Sequence, residues 1–62
     1  MPGDFVVFMT ERMATYRFVR DPAGEWNQYV RSLGDWQFYD NVGESTVASF
    51  FADETNEVFI AK

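Results

Sequence analysis

Asp21–Gly34, DPAGEWNQYVRSLG, decides how the chain is read, because it is the one segment with a clear helical period. Trp26, Tyr29, Val30 and Leu33 fall at i, i+3, i+4 and i+7, a single apolar stripe, with Asn27, Gln28, Arg31 and Ser32 on the other side. The ends agree with that period. Asp21 is placed to accept from the first free N–H groups, Pro22 suits the first helical position, and Gly34 suits the left-handed position after the last turn. A rival reading makes Asp21-Pro22-Ala23-Gly24 a β-turn and starts the helix at Glu25. Either way about two turns carry the stripe, too few to be stable alone in water, so the helix must dock on its neighbours.

Those neighbours read as strands. Asp4–Thr10, DFVVFMT, is apolar on both faces, with Phe5, Val7 and Met9 on one and Val6 and Phe8 on the other, as a central strand requires. Met13–Arg20 alternates, with Ala14, Tyr16 and Phe18 toward a core and Thr15, Arg17 and Val19 toward water. The short connection at Thr10–Arg12 suits a hairpin. Asp35–Asp40, DWQFYD, is a third strand with Trp36 and Phe38 on one face, followed by the loop Asn41-Val42-Gly43-Glu44.

Ser45–Asp53 and Glu57–Lys62 complete the set, joined through Asp53-Glu54-Thr55-Asn56 into a predicted hairpin. Its register sets Phe51 opposite Phe59 and Asp53 opposite Glu57. The predicted fold is therefore α+β: one domain over residues 1–62, a largely antiparallel five-stranded sheet in the order ββαβββ, with one helix on one face. One helix covers one side of a sheet, and two Trp, three Tyr and seven Phe leave an apolar surplus on the other. Either the sheet curls to close a second core, or that face is an interface.

Sixty-two residues without a cysteine lie near the lower limit for a core that folds unaided, so the chain must pack well or associate. The absence of Cys and His excludes thiol chemistry, zinc held by its usual soft ligands, and histidine acid–base catalysis. Ser32, Ser45, Ser49 and Lys62 have no histidine to activate them. Asp35, Asp40 and Glu44 read as loop and strand-end acids in water rather than a catalytic pair. They resemble a calcium loop only in composition, since the spacing and the closing Glu are missing. The four glycines stand singly, so there is no phosphate loop. No cofactor and no metal are expected. No apolar run is long enough to span a membrane and the first residues lack a basic leader, so a cytoplasmic protein without membrane contact is expected.

Charge is unevenly spread. Residues 1–20 sum to +1, residues 21–34 to −1 and residues 35–62 to −5. Direct binding to nucleic acid is disfavoured, because phosphate contacts need Lys and Arg, whereas a basic protein surface is a suitable partner. The function expected on these grounds is that of a small non-enzymatic inhibitor or decoy occupying a basic, nucleic-acid-binding site on another protein. Asp35, Asp40, Glu44, Phe51, Asp53, Glu54, Glu57 and Phe59 are its expected contact residues. Same-face carboxylates on a strand lie about 6.8 Å apart and opposed ones about 5 Å, so a C-terminal hairpin would display them as a row. Compact acidic inhibitors occur among phage-encoded anti-defence proteins, anti-CRISPR and glycosylase inhibitors included, and the likeness here is one of size and charge. The alternative is a structural or assembly subunit that forms a homodimer through its exposed aromatic sheet face.

Overall fold

In the structure, a computed structural model describing residues 1–61, the segment read as a helix is a strand. The elements in chain order are β1 (Asp4–Met9), β2 (Ala14–Arg20), β3 (Trp26–Ser32), β4 (Asp35–Val42), α1 (Glu44–Ala52) and β5 (Asn56–Ile60). They form an α+β domain with one antiparallel five-stranded sheet in the spatial order β4-β3-β2-β1-β5 and a single helix on one face. The fold class is as expected, but the helix comes after the fourth strand and not after the second. Of the last predicted strand, Lys62 lies outside the described residues.

Two features turn 21–34 into a strand. Its start is the rival β-turn: the Gly24 N–H donates to the Asp21 carbonyl, and the Glu25 N–H to the Asp21 carboxylate at 3.0 Å. Its end is a two-residue hairpin, Leu33-Gly34, with φ of 52° and 86°. Positive φ at both central residues is the type I′ turn, whose twist matches that of paired strands. Between the two, WNQYVRS spaces Trp26, Tyr29 and Val30 as a helix would, but Asn, Tyr, Val and Ser are weak helix formers. With β2 pairing residues 26–30 and β4 pairing 26–32, most of its backbone groups gain ladder partners, and tertiary pairing overrides the 3.6 period. The apolar stripe is split accordingly. Trp26 and Val30 face α1, Tyr29 faces the other way, and Leu33 is fully exposed at the hairpin tip.

Ser45–Asp53, read as a strand, is α1 with Asp53 as its C-cap. Val47, Phe50 and Phe51 recur at i, i+3 and i+4, the stripe of a helix, whereas by period 2 Phe50 falls on the face opposite Val47 and Phe51. A four-strand meander with one apolar face bare needs a cover, which a helix supplies and a fifth meander strand does not. The predicted C-terminal hairpin and its Phe51–Phe59 register are therefore absent. β5 instead pairs antiparallel with β1, setting Val58 beside Val7 and Phe59 beside Val6. The turn at 53–56 does form, the Asn56 N–H donating to the Asp53 carbonyl at 3.1 Å, but it joins a helix to a strand.

The core lies between sheet and helix. Phe5, Val7, Phe18, Trp26 and Val47 are buried, and Phe50 and Phe51 of α1 pack on them, with ring centroids 5.0 Å apart for both Phe5–Phe51 and Phe18–Phe50. The indole N–H of Trp26 donates to the Glu44 carboxylate in the first turn of α1, fastening the start of the helix to β3. Trp26, first of the predicted stripe, thus joins helix to sheet from the sheet side, and Leu33, last of that stripe, takes no part.

Candidate functional site

The open face of the sheet follows from the strand registers. Val6 pairs with Arg17 and Phe59, Arg17 with Tyr29, and Tyr29 with Phe38, so one row crosses all five strands as Phe38–Tyr29–Arg17–Val6–Phe59. A second row holds Trp36 paired with Arg31 on one side and Phe8 paired with Thr15 and Glu57 on the other. A third runs from Asn41 through Asn27 and Val19 to Asp4. These side chains alternate with the core residues and so point away from α1. Phe38 is 58% exposed and Phe59 56%.

The face is organised rather than merely bare. Tyr29 and Phe38 meet edge to face at 5.9 Å, and the Arg31 guanidinium lies 5.6 Å from the centre of the Trp36 ring. Arg17, in the middle row, forks onto Asp4 with Nε–Oδ1 and Nη2–Oδ2 distances of 2.9 and 2.6 Å. Those bonds hold the Asp4 carboxyl below its ordinary value and raise the guanidinium, so the pair contributes no net charge at neutral pH. A bulge in β4 opposite Gln28 and Tyr29 turns Tyr39 to the helix side, where its ring meets Tyr16 at 5.7 Å. Without that bulge Tyr39 and Phe38 would exchange faces.

No family model, curated protein or solved structure matches the chain. The site is therefore read from its own residues.

The expected contact residues are dispersed. Asp35 opens β4 at the hairpin end of the sheet, across from Ser32. Asp40 and Glu44 lie toward the opposite end, Asp40 accepting from the Asn41 N–H at 2.8 Å and Glu44 engaged with Trp26. Asp53, Glu54 and Glu57 share one exposed corner where α1 turns into β5. The amide and hydroxyl of Thr55 both donate to Asp53, the hydroxyl at 2.7 Å, and hold its carboxyl low. The row of carboxylates expected on a hairpin does not form, because half of that hairpin is a helix. Phe51 is half-buried against Phe5 and is a core residue, whereas Phe59 stands on the open face. Tyr29, Arg31, Trp36 and Phe38 were missed as a group. Reading 26–32 by period 2 instead of 3.6 puts Tyr29 and Arg31 on one side, and that was the available signal.

Other surfaces offer less. An open cleft of about 400 Å³ lies between the Gly24–Trp26 turn and the start of α1, and its charged groups are the carboxylates of Glu25 and Glu44. Among the described residues no three acids converge on a point where a metal would bind. Ser49 donates its hydroxyl to the Ser45 carbonyl within α1. No helix among them is long and apolar enough to cross a membrane.

Proposed function

We propose that the chain is a non-enzymatic protein-binding module whose contact surface is the open face of the sheet. One observation carries this reading: a single face presents Phe38 and Phe59 more than half exposed, with Tyr29, Trp36, Val6 and Phe8 between and beside them, and α1 covers only the opposite face. Exposed aromatic surface on both sides of a closed Arg17–Asp4 pair supports the reading of this face as an interaction site. Tyr, Trp, Phe and Arg are the residues that dominate binding energy at such sites. A cytoplasmic setting is part of the proposal.

Photo-crosslinking in lysate tests it. A photoreactive residue at Thr15, in the middle of the open face, is expected to give discrete protein adducts, and one at Ser45, on the outer side of α1, is not. Equal labelling from both positions refutes it.

A second reading, the acidic decoy for a basic site, is supported by the exposed corner Asp53, Glu54 and Glu57 and by the net charge of −5. It requires capture of a basic partner to weaken steeply with salt. Neutralising Asp53 and Glu57 should then cost more than neutralising Asp4 and Glu11. Binding indifferent to salt removes this second reading and leaves the first.

A further inference from the structure

We propose that the open face is covered by a second copy of this chain, packed face to face about a two-fold axis that runs along the strands. This rests on the reading of that face as a binding surface and names its occupant.

The argument is one of self-complementarity. An axis along the strands over the central strand β2 lays the β4–β3 half of one copy on the β1–β5 half of the other. The two halves differ in the way this requires. One carries the cation Arg31 with the rings of Tyr29, Trp36 and Phe38, and the other carries the anion Glu57 with Val6, Phe8 and Phe59. Phe38 then lies opposite the partner's Phe59, and Arg31, which leans over Trp36 of β4, sits one strand, about 4.8 Å, to the side of the partner's Glu57, each contact occurring twice. At the axis Arg17 meets the partner's Arg17, but each is already neutralised by its own Asp4, so the centre brings together two closed ion pairs. An axis across the strands instead sets each half on its own copy and gives neither Arg31 nor Glu57 an opposite charge.

Edge-to-edge pairing fits less well. The β4 edge is broken by the bulge at Tyr39 and carries Asp35 and Asp40, and β5 is only five residues long. Bulges, charges and short strands are the devices that prevent such pairing. Face-to-face packing of twisted sheets crosses the strands at about −30° and keeps them about 10 Å apart, within reach of an arginine and a glutamate extended toward each other.

The footprint sets the strength. Five strands about 4.8 Å apart and three rows about 6.8 Å apart cover roughly 500 Å² per copy, or roughly 1,000 Å² in all, the lower bound for a specific pair. A pair with so small a footprint is expected to dissociate on dilution, so association is sought across the micromolar range.

Sedimentation equilibrium of the full chain across that range provides the test, on the parent, R31E, E57R and the double variant R31E/E57R. Each single reversal sets like charges against each other and is expected to weaken association about tenfold or more, and the double variant to recover to within about threefold of the parent. Both residues are exposed, so circular dichroism should show all four proteins folded. F38S, which removes a ring from the face, is expected to dissociate the dimer without a charge change.

A parent that stays monomeric, or a double variant no tighter than the singles, overturns the proposal. If the parent is monomeric while Thr15 still crosslinks to other proteins, the second copy is the wrong occupant and the open face remains the binding surface. If Thr15 captures nothing either, both readings fall.

Discussion

Replacing Trp26 tests the joint on which the two layers depend. The side chain is 3% exposed, meets Phe5 edge to face with centroids 5.9 Å apart, and donates its indole N–H to Glu44. Trp26→Ala removes all three and leaves a cavity under the first turn of α1, at a cost of about 3–5 kcal/mol. A chain of 62 residues has a total stability of roughly 3–9 kcal/mol, so this variant should lose a large part of it. Trp26→Phe keeps most of the ring burial and loses the hydrogen bond, and Glu44→Ala loses only the acceptor. Because Glu44 is solvent-exposed, each should cost about 1 kcal/mol rather than the value for a buried charged bond. Urea unfolding followed by circular dichroism gives the three values, and the fluorescence of Trp36 serves as an independent probe. A Trp26→Ala protein that unfolds at the parent's urea midpoint would show that β3 does not present this side chain to α1, and the packing account would fail.

Three further outcomes follow from other parts of the fold. Leu33 holds a left-handed φ of 52° with its side chain fully exposed, so Leu33→Asn should stabilise the protein by about 1 kcal/mol in urea unfolding. A loss of stability would favour a helix over 21–34. Phe51→Ala should cost about 2 kcal/mol because Phe51 packs on Phe5, while Phe59→Ala should change the melt little and act on association. The reverse pattern would restore the opposed-ring reading. Asp4 titrates below its ordinary value of 3.8 because Arg17 bonds its charged form, and Asp21 and Asp53 are lowered in the same direction by backbone and side-chain donors. Such groups contribute stability above their ordinary value that is lost as pH falls through the folded one, so the melting temperature should drop below about pH 4. Asp4→Asn should lower stability at neutral pH and make that drop shallower, and an unchanged slope would contradict the assignment.

The parts of the fold legible in sequence were those where only one period fits. DFVVFMT and ATYRFVR are too apolar or too cleanly alternating for a surface helix, and both form strands in the expected hairpin. WNQYVRS and STVASFFA both space their apolar residues at i, i+3 and i+4, so period alone does not separate them, and the one helix moved from the first segment to the second while class and strand count held. What decided between the periods was not local. β3 lies between two partners, and α1 covers a meander already complete. The Leu33-Gly34 turn was hidden because leucine is an unfavourable residue at positive φ, and Gly34 alone reads equally as a helix end. The apolar surplus on the uncovered face was inferred correctly from the aromatic count. Of its members only Phe59 was named for that face, because Phe51 went with the misread helix and Tyr29 with the misread strand.

The most specific claim is that a second copy of this chain covers the bare side of its sheet. Dilution of a nitrogen-labelled sample, followed by amide nuclear magnetic resonance, tests it residue by residue. The account requires the signals of Val6, Arg17, Tyr29, Phe38 and Phe59 to move together with concentration, while those of Ser45 and Ser49 on the outer side of α1 stay fixed. Movement confined to α1, or no movement at any concentration, would contradict it.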